Sequence, residues 1–137
     1  AAILQLARGP FIAVIRTQDP PFTSYFSRSE DEGHTWTEPT PLPFRGQTPF
    51  LFKLSNQSIL CIYRDRDPTQ PGVGASLTTD GGESWKYIGQ IYSGSDWNCG
   101  YPAMVRLVDE SLFCVYYSCY KQKNSEVHGV HLKITTS

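Results

Sequence analysis

The 137-residue sequence contains no apolar run near the roughly 20 residues that a membrane-spanning helix needs. Its N-terminus lacks the charged and hydrophobic blocks of a signal peptide. It also lacks a cluster of Lys and Arg that would follow a phosphate backbone, and 12 basic against 13 acidic residues give a net charge of −1. These absences argue against membrane and nucleic-acid partners.

The four cysteines lack a metal-binding pattern. Cys61, Cys99, Cys114 and Cys119 form no C-x-x-C pair, and no His stands at zinc-finger spacing. Cys61 and Cys114 lie inside apolar strand-like runs, where a small buried free thiol is the expected state. The sequence therefore predicts neither a metal site nor a cofactor.

The composition that remains is that of one ordinary globular domain. Apolar residues make up 39%, charged residues 18% and aromatic residues 13% of the chain. Such an aromatic content is typical of β-strands rather than helices. A chain of this length buries about two thirds of the surface that it would expose when unfolded, which is enough for one core.

Internal repetition is the strongest signal in the sequence. Leu6, a four-residue turn and the run from Phe11 to Arg16 form a unit that returns twice, starting at Leu54 and at Leu107. Each unit has two short apolar runs around a polar turn and predicts a β-hairpin. Equivalent positions lie 48 and then 53 residues apart. This spacing is too regular for unrelated strands.

The repeat predicts an all-β fold of four-stranded antiparallel sheets. Each full unit continues with a less apolar run, a Gly-rich turn and another short strand, and four-stranded sheets at such a period are typical of β-propeller blades. A β-sandwich is the alternative, but its strands would lack the fixed offset. We predict a single domain over residues 1–137, with blades at approximately 1–47, 48–100 and 101–137, the last one incomplete.

Two turns share an octapeptide pattern in phase with the repeat. Residues 29–36 and 78–85 both fit S/T-x-D-x-G-x-S/T-W, 49 residues apart. We expect a structural role, because a short Asp side chain accepts hydrogen bonds from turn amides and Gly supplies an unusual backbone angle. Calcium loops need more carboxylates. The predicted turn residues, with both Trp side chains buried beside the turns, are Ser29, Asp31, Gly33, Trp36, Thr78, Asp80, Gly82 and Trp85.

These octapeptides resemble the Asp boxes, or BNR repeats, of bacterial sialidases (neuraminidases). The resemblance extends through residues 44–49, 63–66, 99–102 and 115–117, and it matches the C-terminal half of those proteins. It implies about three blades of a six-bladed propeller. It further implies a site with an arginine triad for the substrate carboxylate, a tyrosine nucleophile helped by Glu, and an Asp acid/base. A tyrosine suits this chemistry because the anionic substrate would repel a carboxylate nucleophile.

Strand direction predicts where such a site lies. Successive strands of a blade alternate in direction, so the start of strand one and the end of strand two share a rim, and the Asp boxes lie at the opposite rim. The resemblance implies Tyr101 as the catalytic tyrosine at that rim, which we call the mouth. It implies the following substrate-binding residues: Arg16, Arg64, Arg66, Gln47 and Asp96. The alternatives are ion pairing for the arginines, aromatic packing for Tyr101 and a solvated loop for Asp96.

Departures from the sialidase pattern keep two functions open. Tyr101 is followed by Pro102 instead of Ser, and no residue matches the first arginine, the acid/base Asp or the Glu partner. One hypothesis is a fragment of a sialidase-like glycoside hydrolase that binds an acidic sugar and is inactive alone. The other is a non-catalytic propeller segment that binds a glycan or a protein.

The predicted assembly follows from the same count of strands. The sequence begins Ala1-Ala2-Ile3 without Met. Isolated blades would expose apolar faces, so we expect either missing N-terminal blades or a homodimer that forms a six-bladed pseudo-ring. The family resemblance favours a secreted or periplasmic protein.

Overall fold

The computed structural model describes residues 1–67, 69–119 and 124–134, and the regular elements in these ranges are all β-strands. Among them, no helix has the length and apolar character needed to cross a membrane. The strands, in chain order, are β1 (Ala2–Gln5), β2 (Phe11–Ile15), β3 (Tyr25–Ser29), β4 (Thr40–Pro41), β5 (Gly46–Lys53), β6 (Ile59–Asp65), β7 (Gly72–Thr78), β8 (Lys86–Ser93), β9 (Cys99–Arg106), β10 (Leu112–Cys119) and β11 (Ser125–Leu132).

The strands form three antiparallel sheets in chain order. Strands β1 to β4 form the first sheet and β5 to β8 the second, each in sequential order. The third sheet has the order β11-β10-β9 within the described residues. The predicted all-β fold of antiparallel propeller sheets is confirmed, whereas the blade boundaries near residues 47 and 100 stay a prediction.

The first hairpin of each sheet has the same turn, as the repeat predicts. Its leading Leu donates a backbone hydrogen bond to the carbonyl four residues later, at 2.8 Å in all three turns. The three pairs are Leu6 with Pro10, Leu54 with Ser58, and Leu107 with Ser111. The third residue after each Leu has a positive φ and donates its amide to the carbonyl of that Leu, at Gly9, Gln57 and Glu110. The sequence repeat is therefore a repeat of backbone conformation.

Apolar side chains form one core between each pair of adjacent sheets. Ile12 and Val14 of β2 pack with Cys61 and Tyr63 of β6 between the first and second sheets. Alternate residues of β6 point the other way, because successive side chains of a strand face opposite sides. Ile62, for example, packs with Met104 and Cys114 of the third sheet. The second sheet is consequently buried on both faces.

The outer faces of the first and third sheets carry exposed apolar side chains. Ile3 lies on the first sheet, and Val105 and Val127 lie on the third. That a second copy of the chain or further blades pack against these faces stays a prediction.

The two thiols inside the sheets are buried and unreactive. Cys61 and Cys114 are fully buried and carry free thiols, as the sequence predicts. Burial raises the pKa of Cys61, and it raises that of Cys114 to about 11. Because the thiolate is the reactive form, both side chains behave as small apolar residues.

The first Asp box folds around the carboxylate of Asp31. One oxygen accepts hydrogen bonds from the Ser29 hydroxyl (2.9 Å) and from the Thr35 amide (2.8 Å). The other accepts the Thr35 hydroxyl at 2.6 Å. The amide of Gly33, whose φ is 89°, donates to the Ser29 hydroxyl oxygen at 2.8 Å. The side chains at positions one, three and seven of the octapeptide and the amide at position five thus form one closed network.

The second box repeats this network with conservative replacements. Asp80 accepts the Thr78 hydroxyl at 2.8 Å, the Ser84 amide at 2.9 Å and the Ser84 hydroxyl at 2.5 Å. The amide of Gly82 donates to the Thr78 hydroxyl oxygen at 3.0 Å. Both Asp side chains therefore stabilise their turns, because their carboxylate oxygens accept hydrogen bonds from donors within the same box.

The two Trp side chains of the boxes differ in burial. Each indole donates a 3.0 Å hydrogen bond to the carbonyl of its box glycine. Trp85 is half-buried, with its ring edge-on to Phe44 at 5.8 Å between the first two sheets. Trp36 is 40% exposed, so the expected burial of Trp36 is wrong. It lies with Ile3 and Ile15 on the outer face of the first sheet, where no described sheet packs against it.

The two box glycines offer a matched comparison. Gly33 and Gly82 have similar φ values of 89° and 99°, so alanine is strained at either site. A Cβ at Gly33 would meet Phe11 at an ordinary 3.6 Å, but one at Gly82 would lie 2.6 Å from the Phe26 ring of the neighbouring sheet. We expect Gly33→Ala to cost about 1 kcal/mol of unfolding free energy. Gly82→Ala should cost about 1–3 kcal/mol more through overpacking. Equal midpoints in urea melts would contradict this assignment.

The box carboxylates also predict a response to acid. Hydrogen bonds from the Thr35 side chain and amide lower the pKa of Asp31 to about 2, and those from Ser84 lower the pKa of Asp80. A carboxyl group with a depressed pKa stabilises the fold above its unfolded pKa of about 3.8, and this stability is lost as pH falls toward 2. Between pH 4 and pH 2, the double variant Asp31→Asn and Asp80→Asn should therefore lose less stability than the parent chain. Parallel urea-melt profiles for the two proteins would show that the boxes do not contribute.

Candidate functional site

Strand register places the mouth and the Asp boxes at opposite rims. In the second sheet, Asp65 pairs with Gly72 at one end of β6 and β7, and Ile59 pairs with Thr78 at the other. The second box follows Thr78, whereas Arg64 and Arg66 stand at the Asp65 end. The third sheet brings Tyr101, at the start of β9, to the mouth as well. The binding roles of these residues stay predictions.

A backbone irregularity marks the mouth end of β5 and of β9, the first strands of the second and third sheets. Register shifts interrupt the pairing of β5 with β6 after Gln47 and the pairing of β9 with β10 opposite Tyr101. Thr48 and Tyr101 occupy equivalent positions and have φ values of 49° and 46°. The Tyr101 amide donates to the Thr48 hydroxyl oxygen at 3.1 Å. Non-glycine residues with such angles are uncommon and persist only where their surroundings hold them.

This irregularity turns the Tyr101 side chain outward. Its residue surface is 66% exposed, which makes it the most exposed aromatic residue at the mouth. Its ring centroid lies 6.0 Å from that of Tyr117 and 5.8 Å from Arg64 Cζ. Among the described side chains, none forms a hydrogen bond with the Tyr101 hydroxyl. The ring is therefore presented to solvent, without the adjacent base that a nucleophile needs.

Arg64 lies between the second and third sheets. Its Nε donates to the Cys99 carbonyl at 2.5 Å, and its Nη2 donates to the Tyr117 hydroxyl at 3.0 Å. The remaining contact, from Nη1 to Gln47 Oε1, is longer at 3.4 Å. The Tyr117 hydroxyl in turn donates to Asn98 Oδ1 at 2.8 Å. Most of the donor capacity of Arg64 is thus used inside the protein.

Gln47, Asp96 and Arg16 lie near this network but differ in their contacts. Gln47 is only 3% exposed, and its Nε2 donates to the Thr17 carbonyl at 3.2 Å. Asp96 accepts the Asn98 amide at 2.9 Å and so shapes its own loop. Arg16 follows β2, and its side chain makes no hydrogen bond or ion pair with a described residue. The structure therefore gathers Gln47, Arg64, Arg66 and Tyr101 closely, with Arg16 and Asp96 at the margin.

Arg66 has an aromatic environment. Its Cζ lies 4.1 Å from the ring centroid of Phe22 and 4.7 Å from that of Trp97. Its Nε is buried, and no hydrogen-bond partner for it exists among the described residues. Burial lowers the pKa of Arg66 from its ordinary value, and the nearby charge of Arg64 lowers it further. Neither arginine forms an ion pair with a carboxylate in the described ranges.

Several mouth residues are absent from the sequence-based prediction. Tyr117 stands at the repeat position of Arg16 and Arg64, so the repeat alignment contained a signal for it. Phe22 and Trp97 come from loops without a counterpart in the other repeats, and no sequence signal pointed to them. Aromatic rings beside arginines can bind polar ligands that carry an apolar face or an anionic group. Within the described residues, no group of three or more His, Cys, Asp or Glu side chains is placed to hold a metal ion.

Known structures share the fold of this chain. A protein of unknown function from Dyadobacter fermentans matches with a TM-score of 0.80 and 24% identity over 97% of this chain and 37% of its own. The α-L-arabinofuranosidase of Fusarium graminearum, solved with an iminosugar inhibitor, matches with a TM-score of 0.75 and 18% identity over 95% of this chain and 44% of its own. A Hadza microbial sialidase matches with a TM-score of 0.60 and 15% identity over 94% of this chain and 30% of its own.

The match to a family model is independent of these structures. This chain spans less than half the length of each of the three structures, and no curated protein matches it. The model of the BNR repeat-like domain covers residues 1–114, which include both Asp boxes and Tyr101. The repeated boxes, the propeller sheets and this match together establish that the chain belongs to the BNR repeat-like domain family.

Proposed function

We propose that this chain forms the arginine-bearing part of the sugar-binding mouth of a sialidase-like glycoside hydrolase, with sialic acid or a related acidic sugar as substrate. The observation that carries the proposal is the position of Arg64 and Arg66 at one rim, without an ion-pair partner among the described residues and beside the exposed ring of Tyr101. A guanidinium group suits an acidic sugar because its planar fork binds a carboxylate through two hydrogen bonds.

Each candidate residue has a proposed role in this mouth. Tyr101 is the nucleophile or, without a partner base, a platform on which a sugar ring stacks. Arg66 and Arg16 contribute positive charge, and Gln47 and Asp96 shape the walls through the hydrogen bonds they make to Thr17 and Asn98.

The chain alone should not hydrolyse a glycoside. Covalent catalysis by a tyrosine needs a neighbouring base and an acid for the leaving group, and no described carboxylate contacts the Tyr101 hydroxyl. The same observation favours a second candidate function, in which the propeller segment binds a glycan without cleaving it. Solved neighbours in complex with arabinobiose, including the arabinanase of Penicillium chrysogenum, support a carbohydrate ligand in general.

Two assays on the 137-residue chain test the proposal. With a fluorogenic aryl sialoside we expect no turnover, and with N-acetylneuraminic acid at millimolar concentration we expect salt-sensitive shifts in the amide NMR signals around Tyr101. Arg66→Met should remove the shifts, while Arg28→Met, at the opposite rim, should retain them.

Three results would count against the proposal. Sialoside turnover that Tyr101→Phe abolishes would contradict an inactive fragment. Stronger shifts with arabinobiose than with N-acetylneuraminic acid would contradict an acidic sugar. The absence of shifts with both sugars would contradict a sugar-binding mouth.

A further inference from the structure

The two arginines at the mouth differ in the hydrogen bonds that they make within the protein. They stand two residues apart, Arg64 within β6 and Arg66 directly after its last residue. Arg64 gives hydrogen bonds to a backbone carbonyl of β9, to Gln47 of its own sheet and to Tyr117 of β10. A ligand that used these donors would have to break bonds between the second and third sheets.

Arg66 is held by contacts that leave most of its donors unused. Guanidinium groups stack favourably on aromatic rings, and the N–H groups of a stacked guanidinium point outward in its plane. Phe22 and Trp97 supply two such rings, at 4.1 Å and 4.7 Å from Cζ. The buried Nε of Arg66 has no acceptor in the described residues. Because Nε is closed off from solvent, a ligand would bond to the terminal Nη groups of Arg66, which are not buried.

The residues that contact Arg66 come from different parts of the fold. Phe22 precedes β3 of the first sheet and has a φ of 67°, an angle that bulky residues seldom adopt. Trp97 lies in the loop that leads into β9 of the third sheet. Loops from the first and third sheets therefore meet at a side chain of the second sheet. This convergence fixes the position of the Arg66 guanidinium between the two loops.

We propose that Arg66 is the ligand-contacting arginine of the mouth, that Phe22 and Trp97 are positioning residues that hold its guanidinium, and that Arg64 acts as a tie between the second and third sheets. The inference rests on the proposed function for its ligand, an acidic sugar. It assigns Arg64 and Arg66, which the sequence treats alike, to different tasks.

The side-chain Nε–H NMR signals of the arginines test this division without and with a ligand. In the ¹⁵N-labelled chain the two signals are assigned with Arg64→Lys and Arg66→Lys. We expect ring currents to displace the Arg66 signal, and Phe22→Leu and Trp97→Leu should each return it toward the position of an exposed arginine. Addition of N-acetylneuraminic acid should move the Arg66 signal and leave that of Arg64 in place.

Affinity measurements complete the test. Arg66→Met should weaken binding of N-acetylneuraminic acid by about tenfold or more, the loss expected for a hydrogen bond to a charged group. Phe22→Leu should weaken it by a smaller factor, with an unchanged unfolding midpoint. The assignment is overturned if the sugar shifts the Nε–H signal of Arg64 and not that of Arg66. It is also overturned if neither Phe22→Leu nor Trp97→Leu changes the Arg66 signal. A third result would separate the two proposals. If the Arg66 signal is displaced by the aromatic rings but neither sugar shifts an amide signal at the mouth, the aromatic contacts stand and the proposed function is refuted.

Discussion

Ser24→Ala should lower the free energy of unfolding by about 2–4 kcal/mol, because it leaves two buried backbone groups without a partner. Ser24 has no exposed surface, and its hydroxyl both donates to the Gly46 carbonyl and accepts from the Gly46 amide, at 2.8 Å each. The register explains why Gly46 depends on this hydroxyl. The Arg66 amide bonds to the Arg45 carbonyl, so Gly46 and Asp65 form a non-hydrogen-bonded pair whose polar groups face away from β6.

The effect should be specific to this bridge between the first and second sheets. Ser95→Ala, at an exposed loop position, removes a hydroxyl of the same size and is the matched control, with an expected change within about 0.5 kcal/mol. Urea melts that follow tryptophan fluorescence measure both variants. A Ser24→Ala midpoint equal to that of Ser95→Ala would mean that water replaces the hydroxyl and that the bridge does not stabilise the packing of the sheets.

Arg64→Leu is the second substitution with a large expected effect, at about 2–3 kcal/mol of unfolding free energy. It removes the bonds to the Cys99 carbonyl and the Tyr117 hydroxyl, which join the second sheet to the third. Hydrogen bonds that involve a charged donor contribute more than neutral ones. The loss should also release Tyr117, whose hydroxyl then keeps one partner among the described residues, Asn98.

An arginine in a surface ion pair supplies the comparison for Arg64. Arg28 bonds to Glu30 at 2.5 Å, but the Glu30 side chain is largely exposed, and such pairs contribute little. Arg28→Leu should therefore cost less than about 1 kcal/mol. The unfolding midpoints of the two variants in urea provide the measurement. If Arg28→Leu were as damaging as Arg64→Leu, the contribution of Arg64 would be that of any long side chain, and its role as a tie between sheets would be refuted.

The sequence predicted the architecture because repetition constrains it at many positions at once. The hairpins at Leu6, Leu54 and Leu107 and the two octapeptides fixed the sheet type, the order of the strands and the ends at which the turns lie. The placement of Arg64, Arg66 and Tyr101 at one rim needed only the alternation of strand direction. Local hydrogen bonding within eight residues likewise made the role of Asp31 and Asp80 predictable.

The contacts between sheets could not be predicted from the sequence. The burial of Trp85 and the exposure of Trp36 follow from which sheet packs beside each box, although the two octapeptides are nearly the same.

By itself, then, the sequence determined the repeated sheets, the structural role of the boxes and the family, since all of these depend on local patterns and their spacing. Only the tertiary structure separated Arg64, bonded to Cys99 and Tyr117, from Arg66, held against Phe22 and Trp97. The two arginines are only two positions apart, but these partners come from strands and loops 30 or more residues away in the chain. Such partners are chosen by how the three sheets pack, and a one-dimensional pattern does not contain that information.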